Sequence, residues 1–72
     1  MTQPAQWIVA GIDGTGIIEV RKVRGYNQED AVSRFVAHYA DVYATCPEFW
    51  INEHTASAVP AHIINNACFV IK

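Results

Sequence analysis

Three histidines, three tyrosines, two cysteines and seven carboxylates are the side chains in this sequence able to move a proton, attack an electrophile or hold a metal ion. Their spacing assembles little of that chemistry. His38 and Asp41 are close enough on a helix to hydrogen-bond, but both fall on the polar side of a periodic stretch, which predicts a solvated pair instead of an acid-base dyad. Cys46 stands directly before Pro47, where a helix should end. The macrodipole there disfavours a thiolate, so Cys46 reads as a small apolar residue and not as a nucleophile. Cys68 lies inside an apolar run and reads as core. His54, His62 and Cys68 have the donor types zinc accepts, yet none of the short paired spacings of a zinc site. Asp13-Gly14-Thr15-Gly16 has the glycines of a phosphate loop. It lacks the Gly-Lys-Ser/Thr that would complete one, and it leads into a strand where a phosphate site needs a helix. The sequence therefore predicts no catalytic set, no metal ligands and no cofactor. The remaining enzymatic reading is a site assembled only on oligomerisation from His38, His54 or His62.

Two other groups of residues suit binding. Arg21, Lys22 and Arg24 with the neighbouring Tyr26 could hold phosphates and stack a base, so a nucleic-acid-binding accessory role is the alternative reading. Against it stand a formal net charge of −2, the small number of cations and the absence of an aromatic-rich strand. Cations at this place also suit the protection of an exposed strand edge. Phe49 and Trp50 are adjacent, so on a regular strand their side chains leave opposite faces and only one enters the core. Together with Trp7 they make an aromatic group of the kind found at protein interfaces.

The elements that must position these residues follow from local pattern. The run from Gln6 to Ile12 is β-branched and aromatic and predicts a strand; Asp13-Gly14-Thr15-Gly16 predicts a tight hairpin turn, and Ile17 to Arg24 a second strand. Ile18 and Val20 alternate with Ile17, Glu19 and Arg21 until Val23 breaks the alternation, which predicts a bulge or strand end near Lys22. Asn27 is the expected N-cap of a helix reaching Ala44, with Glu29 and Asp30 in its first turn and Asp30 at the third helical position as partner in a capping box. Val32, Phe35, Val36, Tyr39 and Tyr43 recur at helical spacing on its apolar face, with Ala31, Ala40 and Val42 at the margins, and Asp30 and Arg34 are set for a modest surface ion pair. Glu48 to His54 predicts a third, aromatic strand, and Thr55 to Val59 a small-residue loop. Pro60 is expected to open a short helical turn through Ile64, ended by Asn65-Asn66, with an extended segment as the alternative; Ala67 to Ile71 reads as a last, buried strand.

A chain of 72 residues, 51% hydrophobic and 17% charged, has the composition of one globular core and not of a disordered tail, with residues 1–5 expected to be disordered. No amino-terminal signal pattern and no long apolar run is visible, and two distant cysteines make no disulfide framework, so a reducing, cytoplasmic setting without membrane contact is expected. The fold class is α+β, β-β-α-β followed by a short turn or helix and a final strand, with an antiparallel or mixed sheet packed on one amphipathic helix. The expected function is non-enzymatic protein binding, either self-association as a homodimer or recruitment as a subunit, regulator or inhibitor of another protein. Trp50, Phe49, Arg21, Lys22, Arg24 and Tyr26 are the expected contact. Compact accessory proteins of this kind are frequent in phages and mobile elements, an analogy that no motif here carries.

Overall fold

The computed structural model describes residues 3–62, which form an α+β domain of three antiparallel strands and one α-helix. Strand β1 is Ala5–Asp13, β2 is Ile18–Gly25, helix α1 is Gln28–Val42, a 3-10 turn covers Pro47–Phe49, and β3 is Ile51–Pro60. The sheet order is β2-β1-β3, so the first strand is central and the other two are edges among the described residues. Order begins within the stretch expected to be disordered, since β1 already includes Ala5. The sites expected at Ile63-Ile64, Asn65-Asn66, Cys68 and the strand Ala67 to Ile71 lie outside the described residues.

The hairpin forms as its residues dictate. Asp13 Oδ1 accepts hydrogen bonds from the Thr15 hydroxyl at 2.6 Å, Thr15 N at 2.9 Å and Ile17 N at 3.0 Å, and Gly16 supplies the positive φ of 88° that closes the turn. The Thr15 hydrogen bond, aided by the backbone N–H groups of Ile17, Thr15 and Gly16, holds the Asp13 carboxyl below its ordinary value against the opposing effect of desolvation. The helix start is equally local. Asn27 Oδ1 accepts from Asp30 N at 2.8 Å, satisfying a donor that the first turn leaves unpaired, and Asp30 Oδ2 reaches back past the cap to accept from Tyr26 N at 2.9 Å. The helix stops at Val42, two residues short of the expected Ala44.

The helix lies across one face of the sheet. Phe35 and Val9 are fully buried, and Ala31, Tyr39, Ile51 and Ala58 complete the core, with Trp7, Val23, Val32, Val36, Tyr43 and Ala56 packed around it. The register of β1 on β2 is unbroken from Ala5 opposite Gly25 to Ile12 opposite Ile18, so the bulge expected near Lys22 is absent. The irregularity lies instead between β1 and β3. Four residues, Glu53 to Ala56, intervene on β3 where Gly11 alone intervenes on β1. The Thr55 hydroxyl fills the gap in the ladder by accepting from Ile12 N at 2.9 Å.

Two further expectations are corrected at β3. Glu48 and Phe49 belong to a 3-10 turn, and the segment from Thr55 to Val59 is strand and not loop. Small residues stand there because the helix comes close: Ala58 is buried, and Gln28 Nε2 on the helix donates to its carbonyl at 2.9 Å. Pro60 ends the strand, and Ala61 and His62 have helical backbone.

Candidate functional site

Antiparallel pairing dictates which side chains share a face. On the side away from the helix the two registers build three rows: Lys22, Ile8 and Val59; Val20, Ala10 and Ser57; Ile18, Ile12 and Asn52. Six of these nine residues are apolar. Ile18 is 65% exposed, Val20 58%, Val59 40% and Ile12 36%, values that mark an uncovered surface and not the rim of a core. The helix side of β2 carries Glu19, Arg21 and Val23 instead. The Tyr39 hydroxyl donates to Glu19 Oε1 at 3.2 Å. Burial pushes the Tyr39 phenol above its ordinary value, the Arg21 guanidinium pulls it back and the Glu19 carboxylate pushes it further up.

Between β2 and α1 runs a groove of about 360 Å³. Arg21, Lys22, Arg24 and Arg34 line it, which are all the lysines and arginines of the described residues, and His38 joins them from the helix. Asp30 Oδ2 accepts from Arg34 Nε at 3.2 Å, the surface pair expected from their spacing, and the guanidinium also stands 5.7 Å from the centre of the Tyr26 ring. Hydrogen bonds from Tyr26 N, then the Arg34 partner, hold the Asp30 carboxyl below its ordinary value against desolvation. The other flank of the helix has the opposite sign. A second groove, between α1 and β3, is lined by Glu29, Asp30 and Glu53 and carries no cation among the described residues.

The six residues singled out by sequence thus divide into two groups. Arg21, Lys22, Arg24 and Tyr26 gather at the β2 edge. Phe49 and Trp50 lie at the opposite end of the sheet, for Ile51 pairs with Asp13 and Arg24 with Gln6, seven residues or roughly 23 Å apart along β1 at the usual strand rise. Trp50 is 41% exposed, and its indole N–H donates to the Tyr43 carbonyl at 2.8 Å, satisfying a group the helix end leaves open. Phe49 is half-buried, 5.1 Å from the Tyr43 ring. Trp50 therefore caps the helix end as well as presenting aromatic surface, and Phe49 packs on the ring of the C-cap residue. Sequence reasoning missed Arg34 and His38 as neighbours of the basic strand, and missed Ile8, Ile12, Ile18, Val20 and Val59 as one surface. The alternation of Ile18 and Val20 with Glu19 and Arg21 was the available signal, but it does not say which side the helix takes.

His38, His54 and His62 are exposed on three different segments, and among the described residues no three His, Cys, Asp or Glu side chains converge on a point able to hold a metal ion. No helix among the described residues is long and apolar enough to cross a membrane. No protein-family model, no curated protein and no solved structure matches this chain.

Proposed function

We propose that this chain is a non-enzymatic protein-binding module, working in the cytoplasm as a subunit, regulator or inhibitor of a larger protein assembly. The observation that carries the reading is the sheet face that no described residue covers, where Ile8, Ala10 and Ile12 form a central column flanked by exposed Ile18, Val20 and Val59. Contiguous apolar surface of this kind is lost from water most readily against another protein. At ordinary strand spacings the face covers on the order of 300 Å², short of the roughly 800 Å² that each partner of a stable pair buries. A full contact accordingly extends past the face onto the adjoining β2 edge.

Ile18→Asp and Val20→Asp test the reading. Both side chains are exposed, so the folded state measured by circular dichroism and urea unfolding is retained while capture of the partner from native lysate, or self-association measured by light scattering, is lost. Val42→Asp is the control, since Val42 is 55% exposed on the helix and outside the face. Undiminished association by both face variants would overturn the proposal. The gathering of four cations in one groove supports nucleic-acid binding as the second reading; it requires an affinity for single strands that falls steeply with added salt.

A further inference from the structure

The β2 edge offers backbone groups as well as charge. Asp13 N donates to Ile17 O at 3.0 Å, which sets the parity of the hairpin ladder. Glu19, Arg21 and Val23 are then the residues whose backbone bonds to β1, and Ile18, Val20, Lys22 and Arg24 direct their N–H and C=O groups away from it. Among the described residues no strand pairs with that side. Alongside runs the groove lined by the cations Arg21, Lys22, Arg24 and Arg34 and by His38, with Val23 and buried Phe35 also bordering it. Glu19 and Asp30, on the strand and helix that border it, are engaged already, Glu19 by the Tyr39 hydroxyl and Asp30 by Arg34 and the Tyr26 amide.

We propose that this groove takes an extended acidic segment of a partner protein, added to β2 as a fourth strand, in which Asp or Glu alternates with Val or Ile. The inference rests on the protein-binding reading and names the chemistry of its partner. Residues of an added strand alternate between the two faces of the sheet. Those on the helix side meet Arg21, Arg34 and His38, so carboxylates are matched there. Those on the far side continue the rows of Ile18 and Val20 at one end of the edge, where β-branched apolar residues are matched, and meet Lys22 and Arg24 at the other. Backbone bonds to Val20, Lys22 and Arg24 supply affinity that is independent of side-chain identity, and the cations select for sign, turning away neutral and basic strands. A nucleic acid matches less of this surface. Its phosphates only accept hydrogen bonds, whereas the edge presents donors and acceptors in alternation, and Tyr26, the ring that would have to stack a base, already faces Arg34.

The probe is a fluorescein-labelled peptide of four Glu-Val repeats, titrated with the full chain and read by anisotropy, with a peptide of the same composition in which all glutamates precede all valines. Saturable binding of the alternating peptide, at least tenfold tighter than of the block peptide and weakened at least tenfold by Arg21→Glu or Arg34→Glu, is the expected result. N-methylation of every second peptide amide should abolish binding in one parity and spare it in the other, because only one set of amides bonds to the edge. No binding of the alternating peptide, or equal loss for both methylated parities, would overturn the acidic-strand proposal. If Ile18→Asp and Val20→Asp still abolish partner capture in that event, the protein-binding reading stands without it. Two further outcomes also overturn it. Tighter binding of single-stranded DNA that displaces the peptide would assign the groove to phosphate. A homodimer that dissociates on Glu53→Lys would assign it to the acidic flank of a second copy.

Discussion

The Tyr39 hydroxyl on α1 donates to Glu19 Oε1 on β2 at 3.2 Å, so a carboxylate, and not an aliphatic side chain, lies beneath the helix at that edge of the sheet. Strand alternation then sends Ile18 and Val20 to the other face. One hydrogen bond between helix and strand thus goes together with the exposure of the surface proposed to bind protein, and the same residue pair stands beside Arg21.

Tyr39→Phe keeps the ring, which packs edge-on to Phe35 at 5.1 Å, and removes the bond. Urea unfolding should show a loss of about 1 kcal/mol, the usual net worth of such a bond. Because the folded phenol titrates above its ordinary value, its contribution is complete below the unfolded pKa of about 10 and is lost as pH rises through the folded value. The wild type should therefore lose stability more steeply than Tyr39→Phe in alkaline urea titrations.

Asp13→Asn removes a charged acceptor of three hydrogen bonds at the turn. Its melting temperature at neutral pH should fall below that of the wild type. The folded carboxyl titrates below its ordinary value, so the stabilisation is present above about pH 4 and disappears as pH falls through the folded pKa. The two melting temperatures should converge in strong acid, and a difference that persists there would reject the role given to the Asp13 charge.

Gly11→Ala should destabilise the domain by about 1–3 kcal/mol through overpacking. A methyl group placed there would stand 2.6 Å from Ile51 Cγ2 and 3.1 Å from the Phe35 ring, both of them buried. Chemical denaturation of Gly11→Ala alongside Ala10→Gly, which alters the neighbouring residue on the open face, separates a tight approach from a general effect of strand composition.

Asn27→Ala should cost about 1 kcal/mol, because the side chain accepts from Asp30 N and no alanine atom replaces it. Asn27→Asp should restore the loss, since a carboxylate caps equally well and suits the positive end of the helix. Helix content by circular dichroism during thermal unfolding distinguishes the three proteins.

Much of this architecture was legible one turn at a time. The hairpin at Asp13 to Gly16, the cap at Asn27 with Asp30 as its partner, the helical face containing Phe35 and Tyr39, and the Asp30 to Arg34 pair all depend on residues within about four positions of one another, a range over which backbone geometry and side-chain reach are fixed locally. The small-residue stretch Thr55 to Val59 was misread for the complementary reason. Its alanines look like loop when taken alone and become strand only because the helix settles closely on Ala58. The candidate site divided in the same way: Arg21, Lys22 and Arg24 were visible as a cluster, but the addition of Arg34 and His38 needed the helix to lie beside β2.

What the sequence determined by itself was the first strand, its hairpin, the second strand and the capped helix, in that order, because caps, turns and periodicity act through near neighbours. Tertiary structure decided which side of β2 the helix would cover. Val23 lies on one side of that strand and Ile18 and Val20 on the other, so hydrophobic alternation is close to symmetric, and the choice falls to contacts made far along the chain, Tyr39 with Glu19 and Phe35 over Val9. Among the described residues that choice left an apolar face uncovered and set Arg34 of the helix beside the three cations of the β2 edge.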